Sequence, residues 1–200
     1  KQGGRSNWPA FALLAVQLTG RGELKTVRAL EEQQPALLFQ GDFLFSAMYL
    51  NELLCRIWPQ DVGSDQLFAL YQHSIQALEA AQPHPGLLQP VLRNFELALL
   101  TELGVPVDLE FDALQQPLEP EALYQWQTEA GLIRTGTLAS GRVIAGTGWS
   151  GDSLLAIARQ QWHDDALRVA KQLSRTLLQP LLDNLTEMGD RPARVAACCG

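Results

Sequence analysis

The sequence has few of the residues that build disulfide frameworks or cysteine zinc sites. Three cysteines occur among 200 residues, Cys55, Cys198 and Cys199, and none of them belongs to a C-x-x-C pair. We therefore expect no disulfide and no metal site, which is typical of a reducing compartment such as the cytoplasm.

Long hydrophobic runs are missing too. No stretch of eighteen apolar residues occurs, so neither a membrane-spanning helix nor a membrane partner is predicted. The first ten residues, KQGGRSNWPA, are basic but lack the apolar core of a signal peptide. Because they also lack an initiator Met, we expect the chain to begin inside a longer protein.

Patterns that carry catalysis are also absent from the sequence. It contains neither a P-loop nor a G-x-S-x-G motif. Its three histidines, His73, His84 and His163, stand far apart, and none has a partner at metal-ligand spacing. We therefore predict that the protein is not an enzyme and uses no cofactor and no small-molecule substrate.

One nucleotide-binding pattern does occur, because residues 146–151 read GTGWSG, a G-x-G-x-x-G sequence. A dinucleotide site needs these glycines between a parallel strand and a helix, with another strand to follow. No strand is predicted in residues 152–200, so the βαβ unit is not completed. The motif is interpreted as a glycine-rich turn in which Ser150 caps the next helix. A nucleotide-dependent enzyme would rest on this motif alone.

The composition is that of a globular protein, with 46% apolar and 18% charged residues. The net charge of −7 argues against a generic nucleic-acid binder, but the charge is unevenly spread. Residues 1–28 carry five cations against Glu23 alone, a balance of +4, whereas the remaining 172 residues carry −11. This basic head on an acidic body indicates either a polyanion-binding surface or an ordinary solvated face.

Hydrophobic periodicity predicts a β-hairpin followed by a helical body. The apolar run Phe11–Thr19, a Gly-Arg-Gly break and the alternating stretch Glu23–Ala29 are typical of two paired strands. Helical spacing then predicts three helices. Asp42 would cap the first and Ser64 the second; Pro83 and Pro85 would end the second, and Gly104 the third. An irregular insert follows at about 105–149, with short strands at 123–126 and 132–135. Two last helices are predicted at about 151–160 and 164–187.

The last predicted helix carries a cationic stripe beside an apolar face. At about 100° per residue, Arg168, Lys171 and Arg175 fall close together and are bordered by Leu178. The apolar face beside them comprises Ala166, Ala170, Leu173, Leu177 and Leu181. Such an arrangement suits an acidic, apolar peptide that ends in a carboxylate. The alternative is a solvated helix flank stabilised by pairs such as Asp164–Arg168.

The basic head is open to two interpretations as well. Short strands with Arg and Lys near a glycine turn are typical of small barrels that follow a phosphate backbone. Trp8 and Phe11 would then stack on bases, or they would belong to the core.

Four strings together resemble the RecO family of bacterial recombination mediators, of the proteobacterial type. They are LTGRGELKTVRALE (18–31), YLNELLCRIWP (49–59), LRNFELALLTELG (92–104) and ALRVAKQLSRTLLQPLL (166–182). The resemblance extends from Lys1 to about Leu182. It implies an α+β fold: a partial N-terminal OB-fold β-barrel over residues 1–38, then a mainly α-helical domain over 39–200 with a small irregular β insert. The first few dozen residues of a complete family member would be missing.

The resemblance also implies a function in DNA repair and recombination. Family members bind single- and double-stranded DNA and anneal complementary strands. They bind the acidic, apolar C-terminal tail of single-stranded DNA-binding protein (SSB). With RecR they load the recombinase RecA on SSB-coated DNA, in the cytoplasm at the nucleoid. The alternative is a protein-interaction module that binds the SSB tail or RecR without significant DNA binding of its own.

Site residues follow from the resemblance. The candidates for DNA binding are Lys1, Arg5, Arg21, Lys25 and Arg28. Those for SSB-tail binding are Arg93, at the opening of its helix, with Lys171, Arg175 and Leu178, the last bordering a pocket for the terminal Phe of the tail.

Two departures from the family pattern stand out in the sequence. Zinc-bearing relatives have four cysteines in the insert, whereas residues 105–133 here have none, so packing must hold that element. The C-terminal sequence GDRPARVAACCG also departs from the family's K-P-L-K-S-R-like segment after Pro192.

Overall fold

The computed structural model describes residues 10–21, 25–59, 62–138 and 148–187, with side chains described as far as residue 183. The two strands of the hairpin come first, β1 (Leu13–Thr19) and β2 (Thr26–Gln34). Three helices follow, α1 (Gly41–Ile57), α2 (Asp65–Ala81) and α3 (Leu88–Glu102), the last preceded by a 3-10 turn at Pro85–Leu87. The insert contributes β3 (Ala122–Gln127), β4 (Gly131–Thr137) and β5 (Trp149–Ser150). Helices α4 (Gly151–Ala158) and α5 (Asp164–Glu187) complete the order.

The predicted hairpin is confirmed. Strands β1 and β2 pair antiparallel, from Thr19 opposite Thr26 at the turn to Leu13 opposite Gln34 at the other end. The register shifts where Gln17 and Leu18 face Ala29 and Val27, so Arg28 is an extra residue in β2 and forms a bulge. A second register shift, between Leu13 and Leu14, lies at the opposite end of the hairpin.

The hairpin is joined to the helical body at the end opposite its turn. The Phe11 and Phe39 rings meet edge to face with centroids 5.0 Å apart, and the Leu37 amide donates to the Phe11 carbonyl at 3.3 Å. Phe11 therefore packs against the core, which decides between the two interpretations of this aromatic residue. Of the partial OB-fold barrel expected over residues 1–38, the described residues form one two-stranded hairpin, and the OB fold is not confirmed.

The helix ends follow the capping chemistry of the sequence. The Ser64 hydroxyl accepts a hydrogen bond from the Leu67 amide at 3.1 Å, which confirms it as the N-cap of α2. Gly104, at φ +79°, ends α3 in a left-handed conformation that favours glycine. The prediction that Asp42 caps α1 is wrong: the helix begins at Gly41 after Gln40, and Asp42 lies in its first turn, where its charge favours the helix dipole.

The helices bury one continuous core. Helix α3 packs against α2 and α5, and α1 contacts α2, α3 and α5. Many of the apolar positions at helical spacing are buried, as the sequence pattern predicts, whereas Met48 of α1 is 42% exposed. The fully buried side chains among them include Leu50, Leu78, Phe95, Leu99, Leu100, Leu154 and Leu173.

The insert is a three-stranded antiparallel sheet of order β4-β3-β5 that rests on α4. Tyr124, almost fully buried, accepts a hydrogen bond at its hydroxyl from the Glu119 amide at 2.9 Å. Arg134 in β4 meets Glu119 through two parallel hydrogen bonds of 2.9 and 2.7 Å. Packing and hydrogen bonds thus order the described part of this cysteine-free insert.

The glycine motif lies only partly within the described residues, because 146 and 147 fall outside them. Gly148 precedes β5, which pairs antiparallel with β3, and not parallel as a dinucleotide fold requires. The Ser150 hydroxyl accepts from the Ser153 amide at 3.3 Å, which confirms Ser150 as the N-cap of α4. The motif is therefore a strand-to-helix turn.

Gly151 is a position at which the fold tolerates no side chain. A Cβ there would lie 2.8 Å from the carbonyl carbon of Glu119 and still closer to its oxygen. We predict that Gly151→Ala lowers the free energy of unfolding by about 2 kcal/mol, because α4 or the chain before β3 must shift. Urea denaturation measures this. Gly136→Ala in β4 is the control, since its Cβ meets nothing within 4 Å, and equal losses in both variants would contradict the prediction.

Candidate nucleic-acid and peptide interfaces

Three of the five predicted DNA-binding residues lie at the turn end of the hairpin. Arg21 follows β1 by two residues, Lys25 directly precedes β2, and Arg28 forms the bulge; all three are exposed. Lys1 and Arg5 lie outside the described residues. With about 3.3 Å per strand residue, this end is roughly 20 Å from the Leu13 end that joins the body. The structure therefore brings Arg21, Lys25 and Arg28 together on a projecting element.

Within the described residues, the carboxylates of the hairpin lie away from these cations; Glu23 of the turn is outside the described residues. Glu31 and Glu32 lie in β2 opposite Ala15 and Leu14, towards the body. The described turn end consequently presents positive charge to solvent, as contact with a polyanion requires.

A second group of cations lies on α5. Lys171 and Arg175 are exposed and four residues apart, so they stand one above the other on the helix surface. Arg168, which the sequence places in the same stripe, is ion-paired with Asp165 on its own helix. The exposed pair formed by Lys171 and Arg175 is the part of the stripe that remains for a partner.

Beneath this pair is a buried polar network that joins α1, α3 and α5. Glu96 of α3 is 2% exposed. Its Oε1 accepts a hydrogen bond from the Tyr49 hydroxyl of α1 at 2.8 Å, and its Oε2 lies 2.8 Å from Nη1 of Arg93. Ser174 of α5, 1% exposed, packs in the same layer. The network is defined here as Tyr49, Arg93, Glu96 and Ser174.

The electrostatics of the network are dominated by loss of water. Burial raises the pKa of the Glu96 carboxyl, while Arg93 and the Tyr49 hydrogen bond lower it, and Ser174 and Lys171 act weakly in the same direction. Burial also raises the pKa of Tyr49, with Glu96 adding to the effect and Arg93 and Arg175 opposing it. These interactions put Lys171 within electrostatic range of the Glu96 carboxyl and Arg175 within range of the Tyr49 hydroxyl.

Two residues of the predicted tail site differ from their expected environment. Arg93 is the sixth residue of α3 and not its opening, and it is 5% exposed because it pairs with Glu96 one turn away. Leu178 is 4% exposed and belongs to the helical core, so it does not border an open pocket. Lys171 and Arg175 are therefore the surface of this site, and Arg93 and Leu178 lie below it.

Sequence reasoning missed Tyr49 and Glu96. The i,i+3 spacing of Arg93 and Glu96 was a visible signal of an ion pair, but it did not reveal burial. Tyr49 is 47 residues from Glu96, so no local pattern connects them.

Other types of site find little support in the part of the chain that is described. No group of three or more His, Cys, Asp and Glu there is arranged to hold a metal ion. None of the described helices combines the length and the hydropathy needed to cross a bilayer. The two described cavities lie in the insert and not beside Lys171: one between the end of α3 and the β3–β4 turn, the other around Pro117 and Leu155.

Comparison with known proteins gives one family. The model of the family described as "Recombination protein O C terminal" matches residues 38–186. The DNA repair protein RecO of Pseudomonas putida (strain W619) is 40% identical over 169 residues, which cover 84% of this chain and 70% of the relative. The DNA repair protein RecO of Pseudomonas aeruginosa (strain LESB58) is 39% identical over 183 residues, or 91% of this chain and 72% of the relative.

The match covers the helical body and the insert, and the identity is sustained over most of the chain. The family model covers the insert and helices α1 to α5 as far as residue 186, and the two relatives match over 84% and 91% of the chain. The chain belongs to the RecO family, of the proteobacterial type.

Proposed function

We propose that this chain acts in DNA repair as a recombination mediator and not as an enzyme. In this role it binds single- and double-stranded DNA, anneals complementary strands and, with RecR, helps to load RecA on SSB-coated DNA in the cytoplasm. The single observation that carries the proposal is the separation of two exposed cationic groups, one at the hairpin turn and one on α5. Each is matched to a different polyanionic partner.

The hairpin turn is the proposed DNA-binding element, at the edge of a domain that spans residues 1–38. Lys and Arg side chains that approach phosphates release condensed counterions, which favours binding without base recognition. Two strands held on one positive surface repel each other less, and this is the physical basis proposed for annealing. The net charge of −7 keeps DNA away from the body of the protein.

Helix α5 is the proposed docking site for the SSB tail. Lys171 and Arg175 pair with the acidic side chains and the terminal carboxylate of the tail through charge-assisted hydrogen bonds. Arg93 and Leu178 support them from below: Leu178 by packing in the core, and Arg93 by its ion pair with the buried Glu96. Docking there raises the concentration of the hairpin near SSB-coated DNA.

The alternative is an interaction module that binds the SSB tail or RecR without significant DNA binding. One observation favours it: Val16, Leu18 and Val27, on one face of the hairpin, are 46, 55 and 53% exposed. A hairpin that leaves this face open within the described residues is less rigid than a barrel strand pair. Absence of DNA binding by the unmodified chain at low salt would decide for the alternative.

The DNA interface is tested with Lys25→Glu/Arg28→Glu. We expect roughly tenfold weaker binding of fluorescent single-stranded DNA, and a salt slope smaller by about 1.4, because two phosphate contacts are lost. Fluorescence anisotropy in a salt series measures both quantities. Affinity for the SSB tail peptide should stay unchanged.

The matched control is Lys171→Glu/Arg175→Glu, which makes the same change in net charge on the body. If that variant loses as much DNA affinity as the hairpin variant, general repulsion explains the effect and the two-site model fails.

The tail interface is tested with the same α5 variant and the SSB tail peptide. We expect at least about tenfold weaker binding, because two charge-assisted contacts become repulsive. Isothermal titration calorimetry measures the affinity. A peptide with an amidated C-terminus should also bind more weakly to the unmodified chain. Full binding of the tail peptide by the α5 variant would exclude Lys171 and Arg175 as contacts.

The support role of Arg93 makes a separate prediction. Arg93→Met leaves the buried Glu96 carboxylate unpaired and should lower the free energy of unfolding by about 3 kcal/mol or more. Arg93→Met/Glu96→Leu removes both charges and should recover most of that loss. Chemical denaturation measures the stabilities. If this double variant is stable yet loses the tail peptide as fully as the α5 variant does, Arg93 is a direct contact and not a support.

A further inference from the structure

A surface hollow lies between the end of α3 and the turn that joins β3 to β4, with a volume of about 350 Å³. It is far in sequence from both the hairpin and α5. Its lining includes Asp108, Phe111, Asp112, Trp126 and Glu129. These five residues define the acidic hollow, which the functions proposed above leave unused.

The charged residues that line the hollow are all acidic; Arg134 of β4, which interacts electrostatically with Asp112, lies outside the lining and is paired with Glu119. Three carboxylates line it, from Asp108, Asp112 and Glu129, and none of the described lining residues is Lys, Arg or His. A phosphate backbone or an acidic peptide would therefore meet repulsion there, so neither DNA nor the SSB tail is a suitable occupant. A cation gains from all three carboxylates.

The walls of the hollow also contain aromatic rings. Trp126 is half-buried at the edge of the core, and Phe111 is 40% exposed, which is high for a phenylalanine side chain. Aromatic faces attract cations through the ring quadrupole, most strongly for tryptophan and most often with arginine as the partner. The combination of apolar rings with carboxylates suits a cation that is also flat and weakly hydrated.

Two of the carboxylates are fixed before any ligand arrives. Oδ1 of Asp108 accepts hydrogen bonds from the amides of Glu110 and Phe111 at 2.9 and 3.0 Å. Oδ1 of Asp112 accepts from the amides of Leu114 and Gln116, both at 2.9 Å. A ligand that binds them therefore loses little affinity to the ordering of these side chains.

We propose that the acidic hollow binds an arginine side chain of a partner protein. The guanidinium is planar, stays charged at all relevant pH values and stacks on aromatic rings while it donates to carboxylates. It stacks on Trp126 and donates to Asp108 and Asp112, and Glu129 adds attraction from the β3–β4 turn. The hollow thus binds a cationic group of a partner protein, whereas the hairpin turn and the Lys171–Arg175 pair bind anions.

The test uses the pentapeptide acetyl-Gly-Gly-Arg-Gly-Gly-amide and its citrulline counterpart, which has the same shape without the charge. The indole N–H resonance of Trp126, identified with Trp126→Phe, reports binding by NMR titration. The arginine peptide should shift this resonance in a saturable manner, and the citrulline peptide should not. No shift with the arginine peptide, or equal shifts with both, would overturn the proposal.

The variant Asp108→Asn/Asp112→Asn tests the carboxylates without removing the turns, since an Asn side-chain oxygen accepts the same amide hydrogen bonds. Binding of the arginine peptide should weaken roughly tenfold. The matched control, Asp65→Asn/Glu79→Gln, neutralises two exposed carboxylates of α2 and should bind as the unmodified chain does. Equal affinity of both variants for the peptide would contradict the proposal.

A salt series on the unmodified chain makes the test independent of the variants' folding. Binding of the arginine peptide should weaken as the ionic strength rises from about 0.05 to about 0.5 M, because the screening length becomes about threefold shorter. An affinity that does not change with salt would reject a carboxylate-based site.

Discussion

The arrangement of the helical body depends on the burial of one carboxylate. Glu96 is nearly inaccessible, and a charge removed from water is unfavourable by several kcal/mol unless it is paired and hydrogen-bonded. The partners come from two elements: Arg93 on the same helix and Tyr49 on α1. Because these contacts require one alignment of α3 with α1, they restrict how α5 packs above them. The direction in which Lys171 and Arg175 project follows from that alignment.

Three described groups of like charge lie apart from one another, and this separates the proposed partners. Cations lie at the hairpin turn and at Lys171 and Arg175 of α5, whereas the charged residues that line the acidic hollow are all carboxylates. Surfaces of opposite sign on one small protein let it hold a polyanion and a basic partner without competition between them. An assembly of several components on SSB-coated DNA needs such independence, since each partner must bind without displacing the next.

Much of the fold could be predicted from the sequence because it depends on local rules. Helical spacing, the Ser64 and Ser150 caps and the Gly104 stop determine where the helices lie, and each acts within a few residues. The network of Tyr49, Arg93 and Glu96 could not be predicted in the same way. Tyr49 and Glu96 are 47 residues apart in the sequence and lie on different helices, and the burial of Arg93 is a consequence of packing. The stripe on α5 was therefore visible in the sequence, while the depth at which Arg93 and Leu178 lie was not.

The insert shows why an irregular sequence can still form a defined site. Asp108 and Asp112 each bind two backbone amides, and the Glu119–Arg134 pair ties the segment before β3 to β4. Such bonds hold short turns in place where no cysteine is available to bind a metal. The same hydrogen bonds fix two carboxylates that line the acidic hollow together with Trp126. The oxygen that accepts the amides belongs to the carboxylate that is proposed to bind the guanidinium. The hydrogen bonds that form these turns thus also hold the carboxylates of the acidic hollow in place. Hydrophobic periodicity alone does not reveal this.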